Sequence, residues 1–580
     1  MTALLNKSDI FTHFGENGHI EYGWSNNIQE KIVQFNFQLT RTPGESIEYL
    51  SHILSDMLTE LKQILKLESL PEKQLAKGYL SILYKMIGHT RDIIDGKGEY
   101  NLSYMMIYIW DKFFPELARF ALKCFVNLSI DDKTLHPYGS WKDIKYFCQY
   151  CKDRGENINF PLIQYSIKLI NKQINNDYIN LISNCDDISL VSKWVPREKS
   201  KFGWLYESLA TDYFQLYMET AITDNSIRRA TLKCKTDYRK LISSLNNKID
   251  TLQIKQCRND WKSIDFNNVT SISLLKQRNS FLNVNKNGKV RHIDNIDRVT
   301  CAENFNKHIQ KAVNGEVEMK GKRISMVDFT KEALNLLYQN SGENIQTEKD
   351  LLNSQWRDNS SQNSSLGKMI AMVDVSGSME GDPLYAAIAL GIRIAEKSIL
   401  GKRVMTFSSS PKWVNLEPYN DFISQVEVIR KAPWGMNTNF YAALNMILNA
   451  IVENKMYPED VQDMVLVILS DMQMDSGDHC NKKTLYETIK TKYEEAGMRV
   501  HGRPYKPPHI LFWNLRSTRG FPTLSNQPNT SMMSGFSPVL LNLFCEQGLD
   551  ALQSCTPWLL LIKSLENERY KILETEFNNI

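Results

Sequence analysis

The sequence predicts a protein in two parts, an array of α-helices followed by a doubly wound α/β domain. Three observations predict it. From about 45 to 345, apolar residues recur three and four positions apart, the period of amphipathic helices; Tyr49, Ile53, Met57, Leu61 and Ile64 set the pattern. After Asn340 the chain turns poor in large apolar residues and rich in Ser and Asn, the composition of a linker. From 368 onward strand-like and helix-like runs alternate, the rhythm of a mainly parallel sheet. The expected division is a helical part over 1–345, a linker over 346–366 and an α/β domain over 367–580.

The N-terminal residues to 44 are mixed, and Ile32–Leu39 alternates apolar and polar residues before a break at Pro43. Helical stripes then follow one another with short polar joints, as in an α-solenoid or a large bundle. Ser140 is placed to cap a helix starting at Trp141. Cys148 and Cys151 form a lone CxxC with no second pair and read as buried thiols. In the second part, strands are expected at 368–375, 403–407, 412–416, 464–469 and 509–514. The second and third of these are expected to form a hairpin. Helices are expected at 383–399, 420–431, 439–454, 483–496 and 538–547.

Composition sets limits on function. The chain has 580 residues, 42% hydrophobic and 23% charged, with a net charge of +3. That balance suits large cores and gives no global field for a polyanion, so any such surface must be local. Ten scattered cysteines and no legible signal peptide lead us to expect reduced thiols in an intracellular, cytoplasmic setting. No apolar run approaches the ~20 residues of a spanning helix, so no membrane partner is expected.

The stretch Lys368–Met379, KMIAMVDVSGSM, carries the most chemistry. An apolar strand runs into Asp374, Ser376 and Ser378 and then into a helix. Such a loop lies at the carboxyl edge of a sheet, where open α/β folds bind ligands. Carboxylate and hydroxyl oxygens suit a hard cation such as Mg²⁺, which wants near-octahedral oxygens at ~2.0–2.1 Å. Thr438 precedes a second apolar helix, and Asp471 follows a second apolar strand. Asp-x-Ser-x-Ser, then Thr, then Asp after a strand resembles the metal-ion-dependent adhesion site of von Willebrand factor A domains. The resemblance implies Asp374, Ser376, Ser378, Thr438 and Asp471 as ligands, directly or through water. It also implies Mg²⁺, Mn²⁺ or Ca²⁺, with an acidic group of a partner protein completing the shell.

Further stretches extend the likeness along nearly the whole chain. They include His89–Glu99, the Pro137–Asp143 segment PYGSWKD, Val191–Lys201 and Ser534–Ser537. Together they resemble an uncharacterised eukaryotic and large-virus family pairing a helical region with a C-terminal von Willebrand A-like domain. That family is distantly similar to the Ro ribonucleoproteins, whose TROVE module is a ring of HEAT-like helical repeats. The resemblance implies a ribonucleoprotein component that binds structured RNA or single-stranded RNA ends.

Local charge is compatible with RNA. Between Thr223 and Lys262 there are ten basic residues against four acidic. Arg228, Arg229, Lys233, Arg239, Lys240 and Lys248 could gather on a helix face and meet phosphates. Lys193, Trp194 and Arg197 add cations beside a ring able to stack on a base. The alternative is that these are ordinary solvated faces with the tryptophan in the core. Arg91, Asp92, Lys97 and Glu99 read as an ion-pair network of adjacent charges, or as part of a ligand surface. No phosphate loop and no nucleophile–base pattern is legible, so the expectation is a protein that is not an enzyme. A metal-dependent adhesion or scaffold protein without RNA is the alternative function.

Overall fold

A computed structural model of the chain describes residues 11–66, 69–130, 133–338, 344–432, 435, 439–474, 484–545 and 549–579. Helices dominate the first 360 residues. Two short antiparallel hairpins interrupt them, β1 (Thr12–Phe14) with β2 (Ile20–Tyr22), and β3 (Leu128–Ile130) with β4 (Lys133–Leu135). The second lies inside the stretch expected to be all helix; strands of three residues are too short to leave a period in the sequence.

The C-terminal part contains a six-stranded sheet. Its strands are β5 (Met369–Asp374), β6 (Arg403–Phe407), β7 (Lys412–Asn415), β8 (Val465–Ser470), β9 (His509–Asn514) and β10 (Thr530–Ser534). Their order is β10-β9-β8-β5-β6-β7, parallel throughout except for the β6–β7 hairpin. Every residue of β8 and β9 is buried, as expected of strands covered on both faces. Met372, Ile468 and Phe512 share a core with helices Phe440–Glu453 and Leu485–His501. Val373, Leu469 and Trp513 point the other way, into a core with helix Asp382–Lys397. That helix comes close to β5 at Gly391, where a Cβ would stand 2.5 Å from Val373 Cγ2.

Two expectations need correction, and one pattern needs an explanation. The linker is instead a helix, Ile345–Ser360, with Leu351, Leu352 and Trp356 buried and Trp356 stacked on Phe422 at 3.9 Å. Its polar residues serve the interior: Asp358 accepts from the Gly321 N–H at 2.6 Å, and Asn359 donates to the Gly321 carbonyl at 3.2 Å. The Ser and Asn content therefore reflects buried hydrogen bonding. The alternating stretch Ile32–Leu39 forms the end of helix Ile28–Gln38 and the residue that follows it; the helix is buried on every side from Ile32 onward, so no single face marks its period. The helix expected over 538–547 is a 3-10 turn, Pro538–Leu541, and a short helix, Asn542–Cys545. Strand β10 before it was not anticipated.

The two parts interlock. Helix Ile28–Gln38 lies along β10 and helix Pro557–Leu565, and the Asn514 side-chain amide donates to the Phe37 carbonyl at 3.0 Å. Tyr22 and Phe521 exchange backbone hydrogen bonds of 3.0 and 2.9 Å. At the other end of the chain, helix Lys571–Asn578 packs on helix Leu70–Arg91. Helix Met326–Tyr338 packs on helix Asp382–Lys397. Among the described residues, no helix is long and apolar enough to cross a membrane.

The charges expected to satisfy their neighbours in sequence reach much further. Arg91 makes a bidentate pair with Asp143 (2.6 and 2.8 Å), and Tyr104 donates to the same carboxylate at 2.8 Å. Asp92 takes two bonds from Arg569 (2.6 and 2.8 Å), and Glu99 pairs with Arg41 at 3.3 Å. Asp143 also accepts from the Ser140 N–H at 2.8 Å, at the start of the helix Trp141–Asp153. Cys148 and Cys151 are buried thiols, and burial pushes Cys148 up to about 12.

Candidate metal centre

Strands β5 and β8 are adjacent, with Val373 opposite Leu469. Their carboxyl ends therefore deliver Asp374 and Ser470–Asp471 to one point on the sheet edge. Asp374 is wholly buried. Its Oδ1 accepts from the Ser376 N–H at 2.9 Å, which curls the loop, and its Oδ2 accepts from the Ser470 hydroxyl at 2.6 Å. The Ser376 and Ser378 hydroxyl oxygens lie 3.1 Å apart. Asp471 is also buried; its Oδ1 accepts from the Gln473 N–H at 3.1 Å, and its Oδ2 has no hydrogen-bond partner.

Two buried carboxylates this close resist ionising together. Burial first, and the charge of Asp471 second, push Asp374 up to about 7. Burial likewise raises Asp471. A buried charge without a partner is costly, and a dication would discharge both groups. The donors fit one. Adjacent ligands of an octahedral ion at ~2.0–2.1 Å stand roughly 2.9 Å apart, close to the spacing of the two serine hydroxyls. Among the described residues, no group of three or more His, Cys, Asp and Glu is placed to hold a metal. The oxygens that Asp374, Ser376, Ser378 and Asp471 offer are carboxylate and hydroxyl, of the kind that suits hard ions.

Thr438 lies outside the described residues. Among the described residues nearest to it in sequence, Gly435 forms a backbone bridge with Ser376, and the Asn439 N–H donates to the Ser408 carbonyl at 3.0 Å. Two contributors escaped the sequence reading. Ser470 bonds Asp374 directly. Arg516, just past β9, donates to the Ser378 carbonyl at 2.9 Å and holds Nη1 3.8 Å from Asp471 Oδ2. Its place beyond the carboxyl end of a strand next to β8 was the one available signal. The N-terminal hairpin closes the far side: the Glu16 N–H bonds the Gln473 side chain at 2.8 Å, and His19 Nδ1 donates to the Met474 carbonyl at 2.9 Å.

The basic residues singled out in the helical part fall into two groups. Lys193, Trp194, Arg197 and Arg239 line a cleft of about 550 Å³. Trp194 is half-buried there, with Lys145 Nζ 5.2 Å from its ring. The others lie on one long helix, Asp224–Ile249. Arg229, Lys233 and Lys240 share a face by their spacing, with Arg228 beside them. Several are partly neutralised: Arg239 by Glu198 (3.7 Å), Lys240 by Asp237 (3.5 Å) and Lys248 by Asp186 (2.7 Å). Lys233 sits 3.9 Å over the Tyr217 ring. Arg228 and Arg229 are exposed and have no ion-pair partner among the described residues.

Residues 368–570 match a family model described as a domain of unknown function, DUF7788. The match covers the sheet, the Asp374 loop and the helices around them. The chain is also similar to "Uncharacterized protein L728" of Acanthamoeba polyphaga mimivirus, 28% identical over 481 residues. That alignment spans 80% of this chain and 76% of the viral protein, so the likeness includes much of the helical part.

Proposed function

We propose that the protein is a binding protein whose α/β part is a von Willebrand A-like domain that engages an acidic group of a partner protein through a divalent cation. Mg²⁺ is the first choice, with Mn²⁺ and Ca²⁺ as alternatives. Asp374, Ser376, Ser378 and Asp471 would hold the ion, with Thr438 as a further ligand. The observation that carries this reading is the buried Oδ2 of Asp471, which accepts no hydrogen bond and has only the Arg516 guanidinium at 3.8 Å, beside a second buried carboxylate. The bound ion supplies a Lewis-acidic position for a carboxylate. The chain's own residues fix the ligand oxygens by backbone and serine hydrogen bonds. Because Asp374 and Asp471 are already hydrogen-bonded or packed at the sheet edge, the reading assigns them to binding rather than to proton transfer.

The test is direct titration of the protein with Mn²⁺, followed by electron paramagnetic resonance. One tight site is expected, lost in Asp374→Ala and competed by Mg²⁺. Saturable binding that survives Asp374→Ala, or none in the natural protein, ends the proposal. Retention of an acidic partner should then be abolished by EDTA and by the same substitution.

A second reading adds RNA on the helical part, as part of a ribonucleoprotein. It is favoured by the cleft that brings Lys193, Arg197 and Arg239 around the half-buried Trp194. Cations beside a stackable ring are the pattern that single-stranded nucleic acid requires.

A further inference from the structure

A second charged concavity lies far from the Asp374 loop in sequence. It is a cleft of about 420 Å³ where three stretches meet: the glycine turn at 96–99, the 322–328 segment and the 536–539 segment after β10. Five solvent-facing cations line it, Arg41, Lys142, Lys276, Lys322 and Arg323, against two carboxylates, Glu99 and Asp328. These cations come from four regions of the chain, so only folding brings them together.

The two carboxylates are already engaged. Glu99 pairs with Arg41. Asp328 accepts from the Ser325 hydroxyl at 2.9 Å and sits in the first turn of its helix, where a negative charge is offset by the N-terminal N–H groups. Lys322 is paired with Glu318 and Asp358. Lys142, Lys276 and Arg323 have no carboxylate within ion-pair distance among the described residues. Lys142 is held over the Tyr100 ring at 5.2 Å, and Arg323 Nη1 donates to the Ile93 carbonyl at 2.6 Å. Two of the three free cations are thus positioned by other contacts before any ligand arrives. Convergent, pre-positioned cations in a concavity are what a compact polyanion recognises.

We propose that this cleft binds a small phosphate-chain compound, either inorganic triphosphate or the triphosphate of a nucleotide. Its volume falls at the small end of the ligand-site range of ~300–1,000 Å³, enough for a phosphate chain. Because the walls belong to both the helical and the α/β parts, occupancy ties the two together. A ligand that binds only the folded state also stabilises it.

Calorimetric titration of the full-length protein with inorganic triphosphate, in magnesium-free buffer, tests this. Saturable one-to-one binding is expected, together with a rise in melting temperature. The double variant Lys276→Glu/Arg323→Glu should weaken it at least tenfold. Both side chains are exposed, so folding should persist, and circular dichroism checks this. The variant Arg228→Glu/Arg229→Glu, on the separate basic helix, should bind as the natural protein does. Magnesium-free ATP separates the sources: equal affinity assigns the phosphate chain alone, and tighter binding assigns a nucleotide. The proposal is overturned if the natural protein gives no saturable heat, if Lys276→Glu/Arg323→Glu binds undiminished, or if both variants lose binding alike.

Discussion

Lys97 carries its ammonium group into the interior without a carboxylate bonded to it. Nζ donates to the Asn36 carbonyl (2.8 Å), the Leu39 carbonyl (3.1 Å) and the Ser534 hydroxyl (2.7 Å). Burial lowers its pKa to about 7. The neutral amine is also satisfied, since two N–H groups reach the carbonyls and the serine hydroxyl turns to donate to the lone pair. With the folded value near 7 and the ordinary value at 10.5, the unfolded chain binds more protons between them. Stability therefore rises with pH across that window. Urea denaturation should show the natural protein gaining about 2 kcal/mol relative to Lys97→Met between pH 7 and 9; parallel curves would refute it. In the sequence Lys97 is only the middle of a short glycine turn, because its partners lie on a distant helix and on the last strand. The Asp374 loop, by contrast, stood out as a candidate site because Asp374, Ser376 and Ser378 are alternate oxygen-bearing residues of one short stretch.

At the scale of elements, β5, β8 and β9 were readable because they carry apolar runs, whereas the equally buried β10, TSMMS, was not, because its hydroxyl residues leave no such run. Helix Ile345–Ser360 was not readable, because its polar residues bond backbone inside the protein and mimic a solvated linker in composition. The helix Asp224–Ile249 lies between these cases. Its buried stripe, Cys234, Tyr238, Leu241 and Leu245, sets one face, and the basic residues necessarily occupy the rest. Those charges can be a merely solvated face or an RNA-binding one, and salt separates the two. If RNA binds there, Arg228→Glu/Arg229→Glu/Lys233→Glu should cut affinity for a single-stranded oligonucleotide at least tenfold and flatten its salt dependence by about three ions. Filter binding across a salt series measures both, and an unchanged slope removes the helix from the interface.

Across the whole molecule, chain order and spatial order diverge. The N-terminal helix Ile28–Gln38 lines the last strand of the sheet, and the C-terminal residues 569–578 return to the first long helices. Arg569 joins these ends by reaching the wholly buried Asp92, an interaction that hydrophobic periodicity cannot reveal. Removing one member of a buried pair leaves the other charged and unpartnered, at a cost of about 3–5 kcal/mol. Arg569→Met should therefore destabilise the full chain by that amount in urea denaturation, and adding Asp92→Asn should recover part of the loss. A loss below about 1 kcal/mol, or a double variant worse than the sum of its parts, would mean that the pair does not join the two parts. The same interlocking predicts that the 367–580 fragment alone exposes the faces covered by helices Ile28–Gln38, Met326–Tyr338 and Ile345–Ser360. It should bind a hydrophobic dye or aggregate, and a soluble, cooperatively melting fragment would show that the α/β part folds without its helical cover.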